Sequence, residues 1–121
     1  MDKTRIALLS QEERLITEMQ SENNTDIYSN YLKLITSIII KKYSLVILDS
    51  MQMPFFNEQK IISSINNLSR NTRIIFIARD NDPDLIARIH DRNNIAYTMH
   101  YPLNFAHLTS IVKHIINKKN Y

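Results

Sequence analysis

No glycine, cysteine or tryptophan occurs among the 121 residues, and there are three prolines. Without cysteine the chain can form no disulfide, no thiolate zinc site and no thiol nucleophile. Without glycine it cannot build the phosphate-cradling loops of P-loop or dinucleotide-binding folds, where backbone must approach phosphate with no Cβ in the way. At average usage of about 7%, roughly eight glycines are expected. A low-GC coding bias accounts for the lack, since isoleucine, lysine and asparagine abound. The pairs Asn23-Asn24, Asn66-Asn67 and Asn93-Asn94 stand where turns are expected, because asparagine tolerates left-handed backbone better than other residues with a Cβ. Long apolar runs are missing too. No run, SIII at 37–40 included, is nearly long enough to cross a bilayer. The first fourteen residues, MDKTRIALLSQEER, turn polar too early for a signal peptide, which predicts a cytoplasmic protein.

What remains is ordinary globular composition: 44% apolar, 22% charged, net charge +3 and pI about 9.2. The length suits one domain, 1–121, around one core. Basic residues are scattered among acids, so nucleic-acid binding by this domain is not expected. Lys41, Lys42, Lys118 and Lys119 would have to carry it.

Periodicity gives the organisation. RIALL (5–9) reads as a strand, and Ser10 with Glu13 reads as a capping box for a helix that turns Leu15, Ile16 and Met19 inward. A brief strand over 26–29 precedes a helix over 31–42, with Leu32, Ile35 and Ile39 on its inner face. The unbroken apolar run 45–48 predicts a strand covered on both faces. A helix capped by Asn57 follows, with Ile61, Ile62, Ile65 and Leu68 inward. RIIFIA (73–78) is a second doubly buried strand. Asp82-Pro83 opens a helix running to Arg92, with Leu85, Ile86 and Ile89 inward. A strand over 95–99, Pro102, and a helix carrying Leu108, Ile111, Val112, Ile115 and Ile116 complete the chain. Five alternating strand–helix units imply a parallel sheet with helices on both faces, a doubly wound (βα)5 three-layer sandwich. In such sheets ligands meet the carboxyl ends of the strands, here Ser10 and Gln11, Asp49 and Ser50, Ala78 and Arg79, and Tyr101-Pro102.

At those positions the chain resembles the response-regulator receiver domain, the flavodoxin/CheY-like fold with strand order 2-1-3-4-5. YSLVILD (43–49) is similar to the family's third strand, which ends in the phosphate-accepting aspartate. Met53-Pro54, RNTRIIFIARD (70–80) and HYPLNFAHL (100–108) resemble the segments that follow. The resemblance implies an acidic pair at Ser10 and Gln11, a hydroxyl at Ala78 and a lysine at Tyr101. This sequence supplies none of them. The acceptor position falls on Asp49 counted along the strand and on Ser50 counted back from Pro54. Either Asp49 is a phosphorylation site with an unusual metal shell, completed by Glu12 or Glu13, or it is an inherited pocket residue held by an ion pair with Arg79. With the acids gone, Mg²⁺ binding is expected to be lost and no cofactor is expected.

The resemblance further implies a protein partner, or a homodimer, through the surface of helix four, strand five and helix five. Arg88, Arg92, Tyr97 and His107 are its candidate residues, with Asp84, Asp91 and Lys113 beside them. An effector domain on a longer chain is a further expectation, and a membrane is not. His90, His100, His107 and His114 read as surface residues, and Met51 and Met53 as fillers. The resulting expectation is a pseudoreceiver in a bacterial signal-transduction or transcription regulator, acting without catalysis. The alternatives are a phosphorylatable receiver using Asp49, or a small α/β nucleotide-binding or enzyme domain of another kind.

Overall fold

The computed structural model describes residues 5–22, 25–49, 58–78, 83–90 and 94–118. Five strands and five helices alternate: β1 (Ile6–Leu9), α1 (Glu13–Glu22), β2 (Thr25–Tyr28), α2 (Tyr31–Lys41), β3 (Leu45–Asp49), α3 (Glu58–Leu68), β4 (Arg73–Ala78), α4 (Pro83–His90), β5 (Ile95–His100) and α5 (Phe105–Lys118). The strands are parallel, in the order β2-β1-β3-β4-β5, so β2 and β5 are the edges. This is the doubly wound α/β fold.

β3 and β4 owe their central place to composition. LVILD is buried at every position, and RIIFIA at every position after Arg73. Alternate side chains divide between two cores. Val46, Leu48, Ile74 and Phe76 pack with Leu34 and Ile38 of α2, Ile61, Ile62 and Ile65 of α3, and Ile89 of α4. Leu45, Ile47, Ile75 and Ile77 pack with Leu15 and Met19 of α1 and with Leu108, Val112 and Ile115 of α5. Full burial of one such side chain contributes about 1.5–3 kcal/mol, so the two layers dominate the stability. Between Ile74 and Ile75 the β4–β5 register shifts by one residue of β5.

Two helical faces differ from the periodic reading. In α2 the buried residues are Leu34 and Ile38, with Tyr31 and Ile35 partly covered, while Leu32 is 70% and Ile39 57% exposed. A helix that is apolar on most sides fits more than one rotation, and only the sheet selects one. In α3, Ile61, Ile62 and Ile65 are buried as expected, but Leu68 is 44% exposed at the helix end. In α4, Ile89 is buried; the side chains of Leu85 and Ile86 lie outside the described residues.

Turn chemistry also departs from expectation. Asn66 and Asn67 lie inside α3 and form no turn. Asn23, Asn24 and Asn93 are outside the described residues, as are Met51, Met53, Pro54, Asn57, Asp82 and Asp91. Among the described residues the left-handed position is Lys42, at φ 54° and ψ 71°, where the chain leaves α2 and its N–H donates to the Ile38 carbonyl. This is the place where most chains carry glycine. Asn30 caps the other end of α2, its side-chain oxygen accepting from the N–H groups of Leu32 at 2.8 Å and Lys33 at 3.2 Å.

The amino ends of the strands are tied by side chains. Tyr43 donates to Asp26 Oδ2 at 2.6 Å and shares a 2.6 Å hydrogen bond with Tyr28, while Lys41 Nζ lies 3.2 Å from the same carboxylate oxygen. The tie joins edge strand β2 to the entrance of β3. Tyr43 holds the Asp26 carboxyl below its ordinary range, and Lys41 adds to this against the opposing effect of burial.

Candidate functional site

The carboxyl ends of β1 and β3 lie side by side, with β4 and then β5 beyond them. Asp49 is the last residue of β3, paired in register with Ile77 of β4, and it is fully buried. A carboxylate there needs hydrogen-bond donors, because a charge buried without partners costs several kcal/mol even after its surroundings relax.

Two of those donors are hydroxyls. Ser10 Oγ, just past β1 and itself fully buried, donates to Asp49 Oδ2 at 2.7 Å. Tyr101 Oη, just past β5, donates to the same oxygen at 2.8 Å. To do so the phenol must span the end of β4, where Ala78 contributes only a methyl group. Tyr101 is fixed at its base by its backbone N–H donating to the Ala78 carbonyl at 3.3 Å, and the peptide to Pro102 is cis.

Ser10 does not form the capping box. Its oxygen accepts from the Glu12 N–H at 3.0 Å while its proton goes to Asp49. α1 begins at Glu13, and the Glu12 carbonyl takes the first helical hydrogen bond from Ile16. The serine therefore joins the start of α1 to the carboxylate. Gln11, two residues before α1, turns away from Asp49 and donates to the Ser29 carbonyl at 3.3 Å. Ser50 and Arg79 lie outside the described residues, so the expected Asp49–Arg79 pair does too.

Burial raises the Tyr101 phenol well above the ordinary tyrosine range; the hydrogen bond to Asp49 and the negative charges of Asp49 and Glu12 push it the same way. The phenol stays a proton donor throughout the neutral range. Glu12 is half-buried, Glu13 exposed, and among the described residues no three His, Cys, Asp or Glu side chains gather as a metal site. Magnesium prefers octahedral oxygen ligands that include carboxylates. One aspartate whose Oδ2 already accepts from two hydroxyls is a poor match to that demand.

At the other candidate surface, Tyr97 on β5 is half-buried toward α5 and meets His107 Nε2 at 3.2 Å, the rings edge to face with centroids 5.8 Å apart. Arg88 is exposed on α4, across the sheet edge from this pair, and Arg92 is outside the described residues. The Asp49–Tyr101 bond was missed in the sequence. Its only trace there was an aromatic residue where the resembled family places a lysine.

Comparison with known proteins supports the architecture. No family model matches the chain, and no curated protein does. Solved structures do. A CheY-like response-regulator receiver domain protein from Methanospirillum hungatei has a TM-score of 0.82 at 12% identity, covering 98% of each chain. A response-regulator receiver domain protein from Clostridium thermocellum has a TM-score of 0.80 at 17% identity, again over 98% of each. A structure described as an adenylate cyclase from Rhodopirellula baltica also matches, with a TM-score of 0.80 at 14% identity over 93% of this chain and 87% of the other. The fold of this chain is that of CheY-like receiver domains. No helix among the described residues is long and apolar enough to cross a membrane.

Proposed function

We propose that this chain is a pseudoreceiver, a receiver-like module of a bacterial cytoplasmic regulator that works by binding a protein partner or a second copy of itself. It performs no catalysis in this reading, and aspartyl phosphorylation and Mg²⁺ play no part. The observation that carries it is the state of Asp49: fully buried, with Oδ2 occupied by Ser10 and Tyr101. A carboxylate that must attack phosphorus needs an open oxygen lone pair and a cation to neutralise the incoming charge. Here a serine and a phenol stand where the resembled family has a metal-binding acid and a phosphate-gripping lysine. Their bonds to Asp49 hold the cleft together without either ligand.

The face of α4, β5 and α5 is the proposed contact surface. It offers an aromatic–imidazole pair, Tyr97 and His107, and an exposed arginine, Arg88, on α4. Incubation with a small-molecule phosphodonor and Mg²⁺, followed by intact mass and sedimentation, tests the proposal. Mass and association state should both be unchanged. A gain of one phosphate that is lost in Asp49→Asn would sink it.

A further inference from the structure

The exposed face of α2 is apolar and cationic at once. Leu32 is 70%, Ile39 57% and Ile40 74% exposed. Leu32 and Ile39 are seven positions apart, two turns along one side of the helix, so they form a ridge about 10 Å long. Lys33 and Ile40 repeat the same spacing beside it. Ridges of this kind seat in the groove of a second helix. Through Lys33, Lys41 and Lys42 the helix and its exit carry three positive charges and no negative one. Lys41 is paired with Asp26; Lys33 and Lys42 are exposed at the two ends of the ridge.

The charges decide the occupant. Were a second copy to dock by the same face, α2 would meet α2, and either orientation would set lysine against lysine. A partner helix with an apolar stripe and acidic flanks buries the same leucine and isoleucines and gains from every charge. We propose that α2 docks an acidic amphipathic helix of another protein. The helix packs against β1, β2 and α3, away from the α4–β5–α5 face, and the inference stands whether or not Asp49 takes phosphate.

The test uses the whole chain and a labelled designed peptide, about 18 residues long so that it holds a helix. It carries a Leu/Ile stripe flanked by glutamates; a control peptide has lysines in their place. Anisotropy should show binding of the acidic peptide, at least about tenfold tighter than the control and weakened by salt. Ile39→Glu with Ile40→Glu should abolish it. Lys33→Glu with Lys42→Glu leaves the apolar residues in place and should reverse the preference, which decides the matter even if the first variant misfolds. Equal affinity for both peptides, or none for either, overturns the proposal. So does a dimer in sedimentation equilibrium that Ile39→Glu with Ile40→Glu dissolves, which would make the occupant a second copy. Capture by phosphatidylglycerol vesicles that the same variant loses would make the occupant a membrane, and overturns the proposal equally.

Discussion

Tyr101 donates its phenolic proton to Asp49 Oδ2 at 2.8 Å, across a sequence separation of 52 residues. The bond joins the carboxyl ends of β3 and β5 over the intervening strand. With Ser10 on the same oxygen at 2.7 Å, it turns the top of the sheet into one connected cluster. Loss of the carboxylate therefore strands two donors at once.

Removing Asp49 should destabilise more than neutralising it. Asp49→Ala leaves the Ser10 and Tyr101 hydroxyls without their acceptor, at about 1–3 kcal/mol for each unsatisfied group. Asp49→Asn keeps an acceptor oxygen in the same shape and should cost less. Tyr101→Phe should lose about 1.5–3 kcal/mol, the range for a hydrogen bond to a charged group. Urea unfolding of the three variants checks the order. Equal losses for Ala and Asn would mean that the carboxylate does not organise the cleft.

Alkaline pH should weaken the fold through two tyrosines. Tyr101 is raised first by burial and then by Asp49, and Tyr43 first by burial and then by Asp26. The unfolded chain loses these protons near pH 10 (about 10 for a free phenol), while the folded chain keeps them. The unfolded state then binds fewer protons, so stability is fully present below pH 10 (approximately) and falls as pH rises above it. Absorbance at the tyrosinate band should show Tyr43 and Tyr101 ionising only above the ordinary phenol range. Tyr101→Phe should flatten the alkaline decline. At the acid end, Asp26 is lowered, so its contribution is present above the ordinary carboxylate range and is lost as pH falls below it.

A second acid in the cleft should create a need for a cation. Ser10→Asp removes a donor from Asp49 and sets a like charge against it, at hydrogen-bond distance and out of solvent. The fold should lose about 3 kcal/mol or more in metal-free buffer, comparable to breaking a buried charge network. Millimolar Mg²⁺ should recover part of that loss in the variant and change nothing in the parent. Thermal melts with and without the ion read both.

The two ends of α2 should respond in opposite directions. Lys42 holds a left-handed conformation that costs a residue with a Cβ about 1 kcal/mol or slightly more, so Lys42→Gly should stabilise by about that amount. Asn30→Ala removes the acceptor for two helical N–H groups and should cost about 1 kcal/mol. Denaturant midpoints at constant slope check both.

Alternation of apolar runs with helical periodicity was enough to place all five strands and five helices. β4 was legible to the residue, because RIIFIA admits no other reading beside its polar flanks. The position of Asp49 at the end of β3 followed from the same pattern, which is local: it depends on which side chains are apolar and on how far apart they stand. The order of the strands came only from the resemblance to a known layout.

Other features belong to the tertiary structure. α2 is apolar around most of its circumference, so its sequence allows several rotations, and packing against the sheet chose to bury Leu34 and Ile38 and to expose Leu32 and Ile39. Ser10 has the sequence context of a helix cap, but its oxygen accepts from the Glu12 N–H, ahead of the first helical residue, and its proton goes to a buried carboxylate 39 positions away. Tyr101 gave no local sign of its role. Which hydroxyl meets which carboxylate depends on distances between strand ends, and chain connectivity does not encode those distances until the sheet has formed.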